Sequence, residues 1–501
     1  GWGWTVPEGT LVPSSQLWSQ EDEIVEEVIT AEVKEVNEPK PPVAEPDAFG
    51  VRMRGETVLP VLLNDHDANG DVLSIVPSSV TELDPAFGTV WVTNDFQQLV
   101  VKVAPTAKGS ATVTYKITDG TTQDGLVSNA AAVTLTVKED KVQTAPQWCG
   151  VEECLATWPS PTVAPGGMVT MQVLEAWVDP EGDPLYLASV NNPSGVGSAV
   201  SNPDGTVTFR DDDPSRTVAE NVPLEVVVAD VNGETAKKVM NVRVTPDASV
   251  TYTPQVALGV VGQSVAVDLS DNVSSGNGHV KLVEVTPENP EDVEVTPSKT
   301  GLRFTLRAEK PGSYPIRVTL ADDVSEVSGT ARVILMDPEE AQVETTPVTV
   351  FLRPSEDVTV DVLPTVSNPS GHVLMVEDLD YEADGESELS VNVLGQRYIH
   401  ATGDTATGEP GKLGRATYKV SDGSGNPKAK ATGAVTFMLL SEVDQDPPIA
   451  SDQWVTVNAG TQVDFPVLDW AVAPAGSQVA LDAGSVVNDQ EEGLAFGTST
   501  L

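Results

Sequence analysis

The chain has 501 residues, too many for one core, and at about 150 residues per domain it should divide into three or four units. Gly (40) and Pro (38) are abundant against 28 Lys plus Arg, which is a β and turn composition, and a net charge of −47 excludes a nucleic-acid partner, whose phosphates are held by Lys and Arg. No apolar run reaches the length of a membrane span, while so large an acidic surplus draws counter-ions, divalent cations among them.

Residues 1–42 stand apart. GWGWTVPEGTLVPSSQLW reads as the last strand of an upstream module, and EDEIVEEVITAEVKEVNEPK as an acidic spacer in which Ile24, Val28 and Ile29 support a short helix or an added strand. The sequence opens at Gly1 without the charged and apolar segments of a signal peptide and closes in GLAFGTSTL midway through a repeat, so it reads as an excerpt of a longer protein.

From residue 43 one unit recurs. TYKITDG at 114–120 and TYKVSDG at 417–423 agree at five of seven positions, and VVVADVNG at 226–233 and RVTLADD at 317–323 fall between them, placing Asp119, Asp230, Asp322 and Asp422 in one register. Gly70, Gly182, Gly278, Gly371 and Gly476 mark a second recurring loop, after the second strand, and alternating strands such as AAVTLTVK close the units. Pro-rich acidic connections set boundaries at 43–140, 141–246, 247–338 and 339–443, with the start of a fifth, truncated unit at 444–501. About a hundred residues of short period-2 strands match a seven-stranded antiparallel sandwich of immunoglobulin type, so the expected fold is all-β, with tandem sandwiches arranged as beads in a rod by Pro-limited connections.

In the first repeat, VLLNDHDANGDVLSI (61–75) packs Asn64, Asp65, Asp67, Asn69 and Asp71 around Gly70. Asp65, Asp67, Asn69, Gly70 and Asp71 reproduce the opening of the D-x-[DN]-x-[DN]-G calcium loop, but Val76 stands where the closing bidentate Glu belongs, so a site must be completed from elsewhere. In a sandwich the loop and the DG turn at Asp119 emerge at the same pole, where Glu45 and Asp47 also arrive. Calcium, which takes six to eight oxygens in flexible geometry, is the cation that suits them; the plainer alternative is a turn, since Asx residues beside Gly cap their own backbone.

The second repeat offers Asp179, Glu181, Asp183 and Asp230 in the same way. It also holds both cysteines, in WCGVEECLATW: a lone C-x4-C pair lacks the four ligands of a structural zinc site, and Cys149–Cys154 suits a local disulfide worth roughly 2 kcal/mol, with two free thiols as the alternative. A bridge implies an oxidising compartment. In the third and fourth repeats the place of Asp71 is taken by His279 and His372, and in the fifth by Ser477, so the fold does not require a metal; the loop is a turn in every copy and a candidate cage in two.

VLLNDHDANGDVL, preceded by PPVAEPDAFGVRMRGETVLP and followed by TYKITDG, resembles the repeat of large bacterial surface proteins built from tandem Ig-like, or cadherin-like, domains, with actinobacterial examples closest in appearance. The likeness fades from residue 43 towards 501, and the acidic loop is kept well only in repeats one and two. It implies an exported cell-surface rod with an adhesive or scaffolding role.

No HExxH, GxSxG, Walker loop or post-strand GxGxxG occurs, and no catalytic or cofactor-binding residue is assigned. Trp148 and Trp454 open repeats two and five in APQW and SDQW and are expected in core or junction packing, while Trp158, Trp177 and Trp470 are candidates for exposure. The leading reading is a noncatalytic, extracellular or cell-surface, monomeric rod that meets a cell-surface or wall ligand, calcium-stiffened at its first junctions. The alternatives are a module binding wall polysaccharide or another cell, and the accessory stalk of an enzyme encoded outside this segment.

Overall fold

The computed structural model describes residues 17–18, 24–25, 38–93, 96–120, 126–275, 279–298, 301–441, 447–450, 455, 457–473 and 479–487. The chain forms two units, Gly1–Lys40 and Pro41–Leu501. In the first, Leu17–Trp18 pairs antiparallel with Ile24–Val25; the expectations for Val28 and Ile29 lie outside the described residues. The second unit is a series of β-sandwiches, and among its described residues helical structure is limited to 3-10 turns such as Pro77–Ser79 and Val467–Trp470.

The second, third and fourth sandwiches share one plan. A four-stranded sheet runs first–last–sixth–third and a three-stranded sheet runs second–fifth–fourth. In the third, Gln255–Val260 pairs with Glu326–Met336, which pairs with Gly312–Ala321 and so with Lys281–Pro287; across the core Val265–Asp268 and Val293–Pro297 flank Arg303–Ala308. The first sandwich keeps the plan with a three-stranded sheet of Asp47–Arg52, Ala131–Lys138 and Ser110–Tyr115 facing Glu56–Leu59, Leu99–Val103 and Gly88–Val92. One pairing in each is parallel, that of the first strand with the last; side-chain alternation, being the same in both directions, does not reveal it. The third strand carries a register shift at the same place in three copies, between Leu187 and Ser189, Leu282 and Glu284, and Val376 and Asp378.

Alternation decides what is buried. In Ala131–Lys138 the side chains of Ala131, Val133 and Leu135 enter the core and Thr134 faces water, and full burial of each Val or Leu is worth about 1.5–3 kcal/mol. Four separate cores result, around Val51, Leu99 and Leu135; Val163, Phe209 and Val242; Leu269, Phe304 and Val333; and Val362, Ile399 and Phe437. A fifth, small cluster joins Tyr186 and Val231 of the second sandwich to Met438 and Phe351 of the fourth.

The connections repeat as well. Each incoming segment makes a short antiparallel clip to the chain just ahead of the marker loop: Gln147–Trp148 to Trp177–Val178, Thr251–Tyr252 to Val273–Ser274, Glu344–Thr345 to Val366–Ser367, and Ile449–Ala450 to Ala471–Val472. In the first sandwich the clip is the single bridge Val43–His66. Contacts also join sandwiches that are not sequence neighbours, as where the Trp91 indole donates to the carbonyl of Thr345 (2.9 Å) and Arg415 to that of Arg54 (2.6 Å).

Candidate metal centre

Directly after the clip, the first acid of each loop divides its two oxygens between two tasks. Asp67 Oδ1 accepts the amides of Asn69 (2.8 Å) and Asp71 (3.0 Å), and Asp179 Oδ1 those of Glu181 and Asp183, both at 2.9 Å. Gly70 (φ 79°) and Gly182 (φ 83°) supply the left-handed residue that closes the turn. The DG-type turn at the other end does the same: Asp230 Oδ1 accepts Asn232 N (2.8 Å) and Glu234 N (3.0 Å), and Asp119 Oδ1 accepts Leu126 N (3.0 Å). One oxygen of each acid thus builds the loop, and the other is left to point elsewhere. Turn and cage are not exclusive.

Two triads follow, Asp67 with Asp71 and Asp119, and Asp179 with Asp183 and Asp230, each bringing one oxygen per residue within 4.8 Å of the others. Asp179 is 5% and Asp230 0% exposed, and the buried Oδ2 atoms of Asp67, Asp179 and Asp230 accept no hydrogen bond from the protein. Burial, then the neighbouring carboxylates, pushes Asp179 up to about 7; Asp230 and Asp71 are raised by the same causes in the same order, loop amides working against the rise at Asp230. Three carboxylates with no nitrogen or sulfur donor, on loops whose backbone is fixed by the same residues, fit a hard divalent cation, calcium before zinc. All three carboxylates of each triad come from a single sandwich.

Each triad nevertheless faces a neighbour. The loop at 179–184 abuts the first sandwich, where the Thr57 hydroxyl donates to Gly182 O (3.0 Å) and Arg52 pairs with Asp183. Asp71 and Asp119 act on Arg332 of the third sandwich, a 2%-exposed guanidinium that burial brings down to about 10 against their pull and that donates to Ser74 Oγ.

Three of the expected ligands lie outside the triads. Asp65 is turned inward: its Oδ1 accepts Glu45 N (2.8 Å) and its Oδ2 the Tyr115 hydroxyl (2.9 Å), which also lies 2.9 Å from Val61 O and 3.3 Å from Asp47 Oδ2. Burial, with the facing carboxylate next, raises Asp47 to about 8, and burial raises Asp65 to about 6. Asp65 therefore pins the incoming chain to the core, its two oxygens taken by the Glu45 amide and the Tyr115 hydroxyl. Glu181 is held by Thr144, through N (3.0 Å) and Oγ1 (2.8 Å), and Asn69 is exposed. Sequence reasoning missed Tyr115 as the group that organises Asp47 and Asp65; its recurrence as Tyr418 within TYK was the available signal.

In the third and fourth sandwiches an imidazole occupies the place of Asp71. His279 Nδ1 lies 3.6 Å from Asp323 Oδ2, and His372 Nδ1 3.2 Å from Asp422 Oδ2. The marker residues Gly278, Gly476 and Ser477 lie outside the described residues.

Cys149 and Cys154 are joined in a disulfide, Cα to Cα 5.6 Å. Beside it Trp148, Trp158 and Trp177 meet edge to face at 67–78°, with Lys238 over the first two rings, so these aromatics form a packed cluster and not a coplanar face. Trp454 and the Trp470 side chain lie outside the described residues. A cavity of about 1320 Å³ opens between the first, second and fourth sandwiches, and no His, Cys or Ser lines it. Among the described residues no helix is long and apolar enough to cross a membrane.

Residues 39–137 match the family model of a bacterial Ig domain, and residues 163–245 that of a cadherin-like domain. A comparison with curated protein sequences finds no match. Among solved structures the chain is similar to the N-terminal four Ig domains of Dscam1 isoform 7.44 (10% identity, TM-score 0.24, covering 80% of this chain and 100% of that one) and to Drosophila N-cadherin EC1-4 (12%, 0.21, 79% and 99%). It is also similar to an endo-fucoidan hydrolase of glycoside hydrolase family 107 at 12% identity and TM-score 0.17, with 61% of this chain matched and 45% of the length of that one spanned. The chain is all-β, with Ig-like and cadherin-like domains in tandem.

Proposed function

We propose that the chain is a noncatalytic, extracellular structural or adhesive array of tandem Ig-like sandwiches whose first two tips are braced by calcium. The observation that carries the reading is the pair of matched triads, Asp67/Asp71/Asp119 and Asp179/Asp183/Asp230, in which loop-building aspartates present a second oxygen to a common point. The Cys149–Cys154 bridge supports an oxidising compartment. The acidic surplus of the chain raises the local concentration of divalent cations at every tip.

The test is thermal unfolding of the whole chain in calcium and in chelator. At a concentration about 100 times the dissociation constant, calcium should stabilise the first two sandwiches by roughly 2.7 kcal/mol. Asp67→Asn with Asp230→Asn should remove the difference while leaving the chelator curve of the third and fourth sandwiches in place. A calcium-insensitive wild-type curve would reduce both loops to turns.

A further inference from the structure

Arg52 closes the strand Asp47–Arg52 of the first sandwich and is 8% exposed, yet the partner of its guanidinium lies in the second. Nε lies 3.1 Å from Asp183 Oδ1 and 3.2 Å from Oδ2, and Nη2 lies 2.6 Å from Oδ2. The remaining donors reach the connection between the sandwiches, Nη1 to Glu139 O (2.5 Å) and Nη2 to Val142 O (2.7 Å). One side chain thus ties together a strand of the first sandwich, the connecting segment and the loop of the second. Asp183 is held from the other side too, because Asn232 Nδ2 donates to its Oδ2 as well (2.9 Å).

The other two members of the triad are in the opposite condition. Asp179 and Asp230 are buried, and the Oδ2 of each accepts no hydrogen bond from the protein. A divalent cation can bridge these two oxygens directly, but it completes its carboxylate set only by drawing on Asp183, whose charge Arg52 already balances. Two cations sharing one carboxylate at this burial repel each other, and a forked guanidinium pair is lost as a unit when its carboxylate turns away.

We propose that Arg52 is the resident counter-ion of the second triad and sets its affinity for divalent cations, so that cation occupancy and the Arg52 clasp between the first and second sandwiches oppose each other. The proposal rests on the cation reading of the triads and adds a direction to it. Calcium braces the tip of the second sandwich at the expense of the bond to the first, and by reciprocity a docked first sandwich lowers calcium affinity.

The experiment is calorimetric titration with calcium chloride of the full chain carrying Asp67→Asn, which silences the first triad, against the same chain with Arg52→Gln and with Arg52→Lys added. Arg52→Gln should tighten binding at least tenfold, or reveal binding where the parent shows none. Arg52→Lys keeps the charge, loses the fork and should stay within about threefold of the parent, and it serves as the informative comparison if the Gln variant does not fold. Equal or weaker affinity in Arg52→Gln overturns the proposal while leaving the cation reading standing. An absence of calcium binding in all three chains overturns the cation reading of the second triad, and this proposal with it. Hydrogen exchange of residues 139–144 supplies the second readout: calcium should speed it in the parent and leave it unchanged in Arg52→Gln, and a slowing in the parent would overturn the opposition.

Discussion

Asp179 shows how the two oxygens of one side chain differ, since its Oδ1 fixes the amides of Glu181 and Asp183 while its buried Oδ2 accepts no hydrogen bond from the protein. The same economy governs Tyr115, whose single hydroxyl proton stands among Asp65, Asp47 and Val61 O. Tyr115→Phe strips the hydroxyl shared by that pair of buried acids and should destabilise the first sandwich by about 1–3 kcal/mol in urea unfolding, with the other sandwiches unmoved. Glu344 gives the pH dependence of the fourth sandwich. Burial raises it to about 7 from 4.5, so the folded chain holds this proton over a range in which the unfolded chain has lost it. Stability from this group is therefore full below about pH 4.5 and lost as pH rises through 7. Glu344→Gln should accordingly stabilise the fourth sandwich at pH 8, by roughly 3 kcal/mol at most, and change little at pH 5, as read from melting curves at the two values. Of these residues the triad members were legible from spacing beside Gly, whereas Asp65 was not. Nothing local in NDHD says which of two acids points inward, and Tyr115, 50 residues away, decides it.

At the scale of elements, the strand Asp47–Arg52 and the loop 179–184 meet backbone to backbone. A Cβ built on Gly50 would stand 2.0 Å from Pro180 O, and one on Gly182, at positive φ, 2.5 Å from Gly50 O. Only glycine permits that approach. Gly50→Ala should leave the two sandwiches folded but part them, so that differential scanning shows their transitions separating and hydrogen exchange rising at 139–144; an unchanged thermogram would mean that the contact carries no energy. The incoming clips were not legible as strands, because two residues carry no period. They are recognisable only through their partner strands, which end at Val178, Ser274, Ser367 and Val472, at one fixed distance ahead of Gly182, Gly278, Gly371 and Gly476.

For the whole molecule the dominant quantity is charge. With 75 acidic side chains against 28 basic ones, sandwich surfaces repel one another, and the contacts between non-neighbours are a few polar bonds and one small apolar cluster. The hydrodynamic radius of the chain should therefore fall as sodium chloride rises from about 10 mM to about 500 mM, where the screening length drops from about 30 Å to a few ångströms; a radius independent of salt would show that the contacts outweigh repulsion. The fold class was legible throughout, because a period of two in Val, Leu and Thr leaves one face to bury and a recurrence near a hundred residues leaves one unit to repeat. Sequence alone thus determined the all-β sandwiches, their order and the acids that could meet a cation. Tertiary structure alone decided which oxygens converge, that Arg52 already answers one of them, and that the first strand lies parallel to the last. Periodicity and turn chemistry are local and written in neighbouring residues, whereas a ligand set, an ion pair and a strand direction join residues tens to more than a hundred positions apart, and only packing brings those together.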